Sequence, residues 1–227
     1  MATIYAHSGD GYVGRLNQSS WSNARANSSG TASSSTGSNF FQGIGGFAQS
    51  GRGGGSVYTI YRSFFYFDTS GISANVDSAT LKIRGFSQSS GDVIAVKATS
   101  NIAGLGTADF EEIEGWDSSG TDGSGGGDME SSVTKYSNEI TSWSTSAYND
   151  IALNSQALAD MRDDNIIYIA LINFDYDLKD VTPTDATGRN GLYYANYTGT
   201  SLDPYIDYDL AAVVTTADNA IFFGTNF

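Results

Sequence analysis

The chain has no cysteine, so disulfides, thiolate metal ligands and a cysteine nucleophile are all missing from its chemistry. It has a single histidine, His7. A Ser-His-Asp hydrolase needs a histidine base, and a zinc site without cysteine needs several histidines, so both are disfavoured. His7 lies in a short strand or turn and reads as a solvent-facing or loop-bridging imidazole. Basic residues are scarce: 11 against 25 acidic ones, a net charge of −14. Such a surface repels polyanions, so nucleic acid and anionic membranes are poor partners. There is no window of about 18 apolar residues of the kind that spans a bilayer. Met1–Asp10 also lacks the basic and apolar regions of a signal peptide. The expectation is a protein that reaches the outside by lysis, as virion proteins do. A chain that had lost its leader would read alike.

What the chain does have is β-sheet material. The run Val57-Tyr-Thr-Ile-Tyr-Arg-Ser-Phe-Phe-Tyr-Phe-Asp68 is aromatic and β-branched, with neither Pro nor Gly. It is bulky on both alternating faces: Phe65 and Phe67 on one, Ile60, Phe64 and Tyr66 on the other. That pattern marks a central strand covered on both sides. Ala79-Thr-Leu-Lys-Ile-Arg84 instead alternates cleanly, as a half-buried strand does. With the turn residues Asp68–Gly71 between them, the two are expected to form an antiparallel pair at the centre of one sheet.

Further strands are expected at Thr3–Ala6, Tyr12–Val13, Phe40–Phe47, Asp92–Thr99, Tyr148–Leu153, Asn165–Phe174, Gly191–Tyr197 and Pro204–Leu210, the last with Ile206, Tyr208 and Leu210 inward. The glycines of Phe40–Phe47 suggest a bulge or a close backbone approach. One short helix, capped by Asn154 or Ser155, is expected through Asp163. Residues 15–39 read as polar loop, and 100–146 as a long irregular segment with one or two short strands. The fold class is all-β: an antiparallel, jelly-roll-like β-sandwich with one short helix and a C-terminal extension. Residues 1–210 form the sandwich domain. Residues 211–227 form an apolar tail, whose Val213, Val214, Ile221, Phe222, Phe223 and Phe227 are the candidate anchors for a partner subunit; folding back onto its own domain is the equal alternative.

The strings Arg62-Ser-Phe-Phe-Tyr-Phe-Asp68, Ala79-Thr-Leu-Lys-Ile83, Asp203-Pro-Tyr-Ile206 and Gly9-Asp-Gly-Tyr-Val13 resemble β-sandwich domains of the DNRLRE, or disaggregatase-related, type, which are similar to carbohydrate-binding modules. The likeness covers residues 3–210, although the string that names the family is absent. It implies a jelly-roll-like sandwich of secreted polysaccharide-active proteins, surface proteins and phage virion components.

No catalytic set stands out. The Gly43–Gly46 and Gly51–Gly55 stretches lack the strand, helix and Lys of a phosphate-binding loop. Glu111, Glu112, Glu114, Glu130 and Glu139 are abundant but show no pairing across a cleft. Arg62 with Tyr58 and Tyr66 is a formal lyase group, but its mid-strand place reads as structural. Asp175, Asp177 and Asp180 supply oxygen ligands at alternating positions that suit calcium, the most reasonable ion here, but a solvated acidic loop that caps a strand end is the preferred reading. Trp21, Trp116 and Trp143 fall in loops, where exposed rings would contact a glycan, although plugging the ends of the sandwich is the favoured reading of each. The function expected is therefore non-enzymatic: a structural or adhesive virion protein (a phage head decoration, tail fibre or tail-associated subunit) that assembles with other virion subunits, itself included, through its tail. The alternative is the carbohydrate-binding module of an extracellular protein.

Overall fold

The computed structural model describes residues 1–99, 104–118 and 129–212. Among these, eleven strands pair antiparallel: β1 (Ala2–Tyr5), β2 (Gly11–Gln18), β3 (Ala32–Ser34), β4 (Asn39–Ser50), β5 (Ser56–Asp68), β6 (Val76–Ser89), β7 (Val93–Lys97), β8 (Tyr148–Ala152), β9 (Ile166–Asn173), β10 (Arg189–Tyr193) and β11 (Tyr205–Leu210). Three short α-helices accompany them, α1 (Trp21–Arg25), α2 (Met129–Ser132) and α3 (Ser155–Asp163), with a 3-10 turn at Thr107–Glu111 and a π-turn at Phe174–Leu178. The fold is the all-β, sandwich-like one the sequence predicts.

Two long strands organise the layers. β6 pairs through Val76–Lys82 with β11 and through Thr80–Arg84 with β8, then passes into the larger sheet, where its end pairs with β10. β5 takes β4 along Ser56–Tyr61, β2 along Tyr58–Phe64 and β9 along Ser63–Asp68. Every residue of β5 from Thr59 to Phe67 is buried. Because strand side chains alternate, Phe65 and Phe67 enter one core with Leu81, Ile83, Ile151 and Ile206. Ile60, Phe64 and Tyr66 enter a second core on the opposite face. That second core is covered by irregular chain: α1, Phe110, Ile113, Trp116, Met129, Val133 and Leu178.

β5 and β6 do not pair with each other, contrary to the sequence-based expectation. They face one another across the first core, and Ile72 in their connection is buried. Turn residues between two apolar runs fit a layer crossing as well as a hairpin. The polar stretch 15–39 is also more ordered than its composition suggests: it completes β2, adds β3, and forms α1, where the Ser20 side chain accepts the Asn23 N–H. The described parts of 100–146 form no strand. Lys135 and Ile140 make single bridges to β7 and Ile113 one to Ala98 just beyond it, and the segment serves as a lid on the second core. Leu210 is 49% exposed, because the register against β6 slips between Asp209 and Leu210. The helix capped by Asn154, with Met161 buried, matches expectation; α1 and α2 are additional. The glycines of β4 allow close approach, since a Cβ on Gly43 would lie 2.5 Å from the Leu192 side chain and one on Gly46 2.7 Å from Tyr176.

At the heart of the second core is a charge. Arg62 on β5 and Asp177 are both 0% exposed. The Arg62 Nε and Nη2 donate to the two Asp177 oxygens at 2.7 and 2.8 Å, and Nη1 donates to the Phe110 carbonyl at 2.6 Å. The guanidinium lies 4.1 Å from the Phe110 ring centre and 4.3 Å from that of Trp116. Arg25 of α1 donates from Nε to the Asp177 carbonyl at 2.7 Å, and its Nη1 is 3.6 Å from Asp180. Trp21 Nε1 donates to Asp180 at 2.8 Å. Removing one partner of such a pair leaves an uncompensated buried charge, at a cost of about 3–5 kcal/mol. Asp177→Ala is expected to lose that much in a urea titration, and adding Arg62→Met is expected to restore part of it.

Candidate binding face

The outward face of β6 carries Thr80, Lys82, Arg84 and Phe86, because Ala79, Leu81 and Ile83 point into the core. Around this row the sheet order β1-β11-β6 with β8 gathers tyrosines. Tyr5 pairs in register with Tyr205, Tyr205 with Lys82, Lys82 with Asp150, and Arg84 with Tyr148. The Tyr5 and Tyr205 rings are 5.7 Å apart and those of Tyr205 and Tyr148 5.0 Å. Tyr5 is 47% exposed, and Tyr148 and Tyr205 are half-buried. Hydrogen-bonding groups flank the strip: the Lys82 ammonium donates to Asp150 at 2.7 Å, and the Thr3 hydroxyl to Asp207 at 2.6 Å. Further along β6, Phe86 meets Tyr193 edge-on at 5.3 Å, and Tyr193 meets Tyr197 at 5.2 Å. A hollow of about 450 Å³ lined by Trp143, Ser144, Tyr148 and Asp150 adjoins the strip.

Two tyrosines of this face, Tyr148 and Tyr205, hold their protons more tightly than a free tyrosine. Burial, then Tyr205 and Asp203, push the Tyr148 hydroxyl up to about 12. Burial and Asp207 also raise that of Tyr205. The Tyr148 hydroxyl donates to the Ser201 carbonyl at 2.9 Å and lies 3.2 Å from that of Asp203. The arrangement offers apolar ring surface bordered by fixed donors and acceptors, which is a means of binding.

The residues singled out from the sequence lie elsewhere, except Trp143, which edges the adjoining hollow. Trp21, Trp116 and Trp143 are each 6% exposed. They are core residues, so the expected loop platforms for a glycan are not there: Trp21 bonds Asp180, Trp116 packs on Arg62, and Trp143 donates to the Gly191 carbonyl at 3.1 Å. Of the three aspartates considered for calcium, Asp177 has both oxygens on Arg62, Asp180 serves Trp21 and Arg25, and Asp175 lies 3.9 Å from the Lys179 ammonium. No group of three or more candidate metal ligands occurs among the described residues. His7 is bonded through Nδ1 to the Tyr66 hydroxyl and stacks on its ring at 4.5 Å. Glu112 accepts from Thr99, and Glu114 accepts from Thr134 and pairs with Lys97. Val213, Val214, Ile221, Phe222, Phe223 and Phe227 lie outside the described residues.

Sequence reasoning missed the tyrosine strip, since tyrosines were counted as strand formers. The one available signal is parity: Tyr205 alternates with the inward Ile206. It also missed a pair of buried carboxyls where the N-terminal loop meets the 194–204 loop. Asp10 accepts the Ala195 N–H with both oxygens at 3.1 Å, and Asp203 has an oxygen with no partner. Burial raises the Asp10 pKa well above the ordinary 3.8; the Ala195 N–H lowers it in part, and Asp203 raises it again. No family model matches the chain, and no curated protein matches it.

The folded protein therefore keeps a proton on Asp10 that the unfolded chain releases near pH 3.8. Stability from this group is complete below that pH and is lost as pH rises toward the raised folded value. Asp10→Asn keeps an acceptor for Ala195 but has no proton to lose. Its melting temperature relative to wild type is expected to be flat below about pH 4 and to climb above it. A difference independent of pH would contradict this assignment.

Proposed function

We propose that the protein is a non-enzymatic structural and adhesive subunit, of the kind that decorates or extends a virion as a head decoration, fibre or tail-associated part. The observation that carries this reading is how the side chains are used. Groups with the chemistry for catalysis, such as Arg62, Asp177 and His7, hold the fold together. The β6 face presents rings and hydrogen-bonding groups on a rigid sheet. The resemblance to DNRLRE-type sandwiches supports the same reading, and a virion or extracellular location goes with it. No helix among the described residues is long and apolar enough to cross a membrane.

Assembly would run through residues 211–227. The last strand, β11, lies beside β1, which ends the sheet path and has no second strand partner among the described residues. A strand end next to a free edge suits the addition of a strand between subunits. Val213, Val214, Ile221, Phe222, Phe223 and Phe227 would be the docking residues. Truncation after Ala212 is expected to leave the melting temperature nearly unchanged while the sedimenting species falls to a monomer. Unchanged assembly in the truncated chain would rule out the tail as the joining element.

A second reading, as a carbohydrate-binding module, is favoured by the Tyr5–Tyr205–Tyr148 strip. Aromatic rings stack on the C–H faces of sugars, and a pre-ordered sheet loses little freedom on binding. Tyr205→Ala is expected to weaken glycan binding about tenfold, the equivalent of about 1.4 kcal/mol, by titration calorimetry. Equal binding by wild type and variant would remove the strip from this role.

A further inference from the structure

Arg84 stands at the centre of the tyrosine strip, opposite Tyr148 in register and next to Lys82 along the outward row. Lys82 is neutralised by Asp150 at 2.7 Å. Arg84 is not: its Nε is buried without an acceptor, and no carboxylate pairs with it among the described residues. A half-buried guanidinium in this state is conspicuous in a chain with 25 acidic residues, more than twice its 11 basic ones. Guanidinium presents a planar fork of donors that matches a carboxylate, and it forms stronger hydrogen bonds to charged acceptors than to neutral ones. The surrounding charges limit what can reach it. Asp150 and Asp207 border the strip, and the whole molecule carries −14. A densely charged polymer would be repelled by that field, whereas one isolated carboxylate could be met by Arg84 alone.

From this geometry we propose that the β6 face binds a glycan carrying isolated carboxylates. One acidic sugar sits against Arg84, and neutral sugars on either side pack on Tyr5, Tyr205 and Tyr148. This rests on the carbohydrate-binding reading above and assigns its ligand class. The 5.0 and 5.7 Å ring spacings make a continuous apolar strip across β1, β11 and β8, which suits an extended saccharide better than an acidic peptide. Arg84 is a specificity-determining residue in this arrangement, and the tyrosines supply affinity for neutral and acidic sugars alike.

The test is a glycan array probed with the full chain, carrying neutral glycans, glycans with one acidic sugar among neutral ones, and uniformly acidic polyuronates. Wild type is expected to prefer the singly acidic members over their neutral counterparts about tenfold, and to bind polyuronates least. Arg84→Gln is expected to erase the preference, read as the ratio of acidic to neutral binding within the one variant. Tyr205→Ala is expected to weaken both. Reduction of the glycan carboxylate to the alcohol tests the same contact from the ligand side, with no variant to fold, and is expected to remove the preference. Equal binding of neutral and acidic members, a preference that survives Arg84→Gln or carboxyl reduction, or tighter capture of polyuronates or acidic peptides would overturn the assignment to Arg84 and leave the glycan reading standing where glycans still bind. Failure to bind any member would defeat both.

Discussion

The desolvated Arg62–Asp177 fork is the contact on which the rest of the molecule depends. Neither charge could be buried alone, because each would lose several kcal/mol of hydration. Together, with the Phe110 carbonyl and Arg25 completing the hydrogen bonds, they let β5 be covered on a face that contains a charge. The partners come from α1, the central strand, the lid over the second core and the segment after β9. Chain that would otherwise be loop is thereby held as a layer. This explains how one sandwich can have a second core under irregular chain: Trp116 and Phe110 pack on the guanidinium as well as on the aliphatic side chains of β7 and β9.

The other constraint is β6. By leaving one sheet and entering the other, it fixes the two layers against each other, and its outward residues form one uninterrupted row from Thr80 to Phe86. Neighbours on that row come from both ends of the chain, Tyr5 from β1 and Tyr205 from β11. The face therefore exists only when the sheet is complete. Rings and donors held on such a frame lose little freedom on contact with a ligand, which favours recognition by a fixed surface over one that folds on binding.

Most of the strand content was legible because its signals are local. Thr59–Phe67 is an unbroken run of bulky residues, and burial on both faces follows from strand alternation alone. The alternation of Ala79, Leu81 and Ile83 likewise predicted which face of β6 is wet. What could not be read is long-range. Arg62 and Asp177 are 115 residues apart, and nothing near Asp177 separates a carboxylate bound for a guanidinium from one bound for a cation. For the tryptophans, a place outside strands does not separate an exposed ring from a buried plug, and here the irregular chain is itself a packed layer. The hairpin expected between β5 and β6 failed for a related reason: alternation tells which side of a strand is apolar, and says nothing of which strand lies beside it. The tyrosine strip needed the sheet order, since Tyr5, Tyr148 and Tyr205 are unremarkable one by one.

Two arginines at corresponding places on the two organising strands show how environment decides the use of a residue. Arg62, on the covered face of β5, has aromatic rings beside it and a carboxylate supplied from within the chain. Arg84, on the wet face of β6, also has aromatic neighbours, but no carboxylate among the described residues pairs with it. A guanidinium of the first kind is spent on the fold and can take nothing more. One of the second kind keeps donors unspent on a half-buried side chain at the sheet face. An acidic protein gains nothing in stability from leaving such a cation without a partner when its own carboxylates are plentiful nearby. The strand positions that leave Arg84 beside rings and without an ion pair among the described residues are therefore better understood as serving what lies outside the molecule.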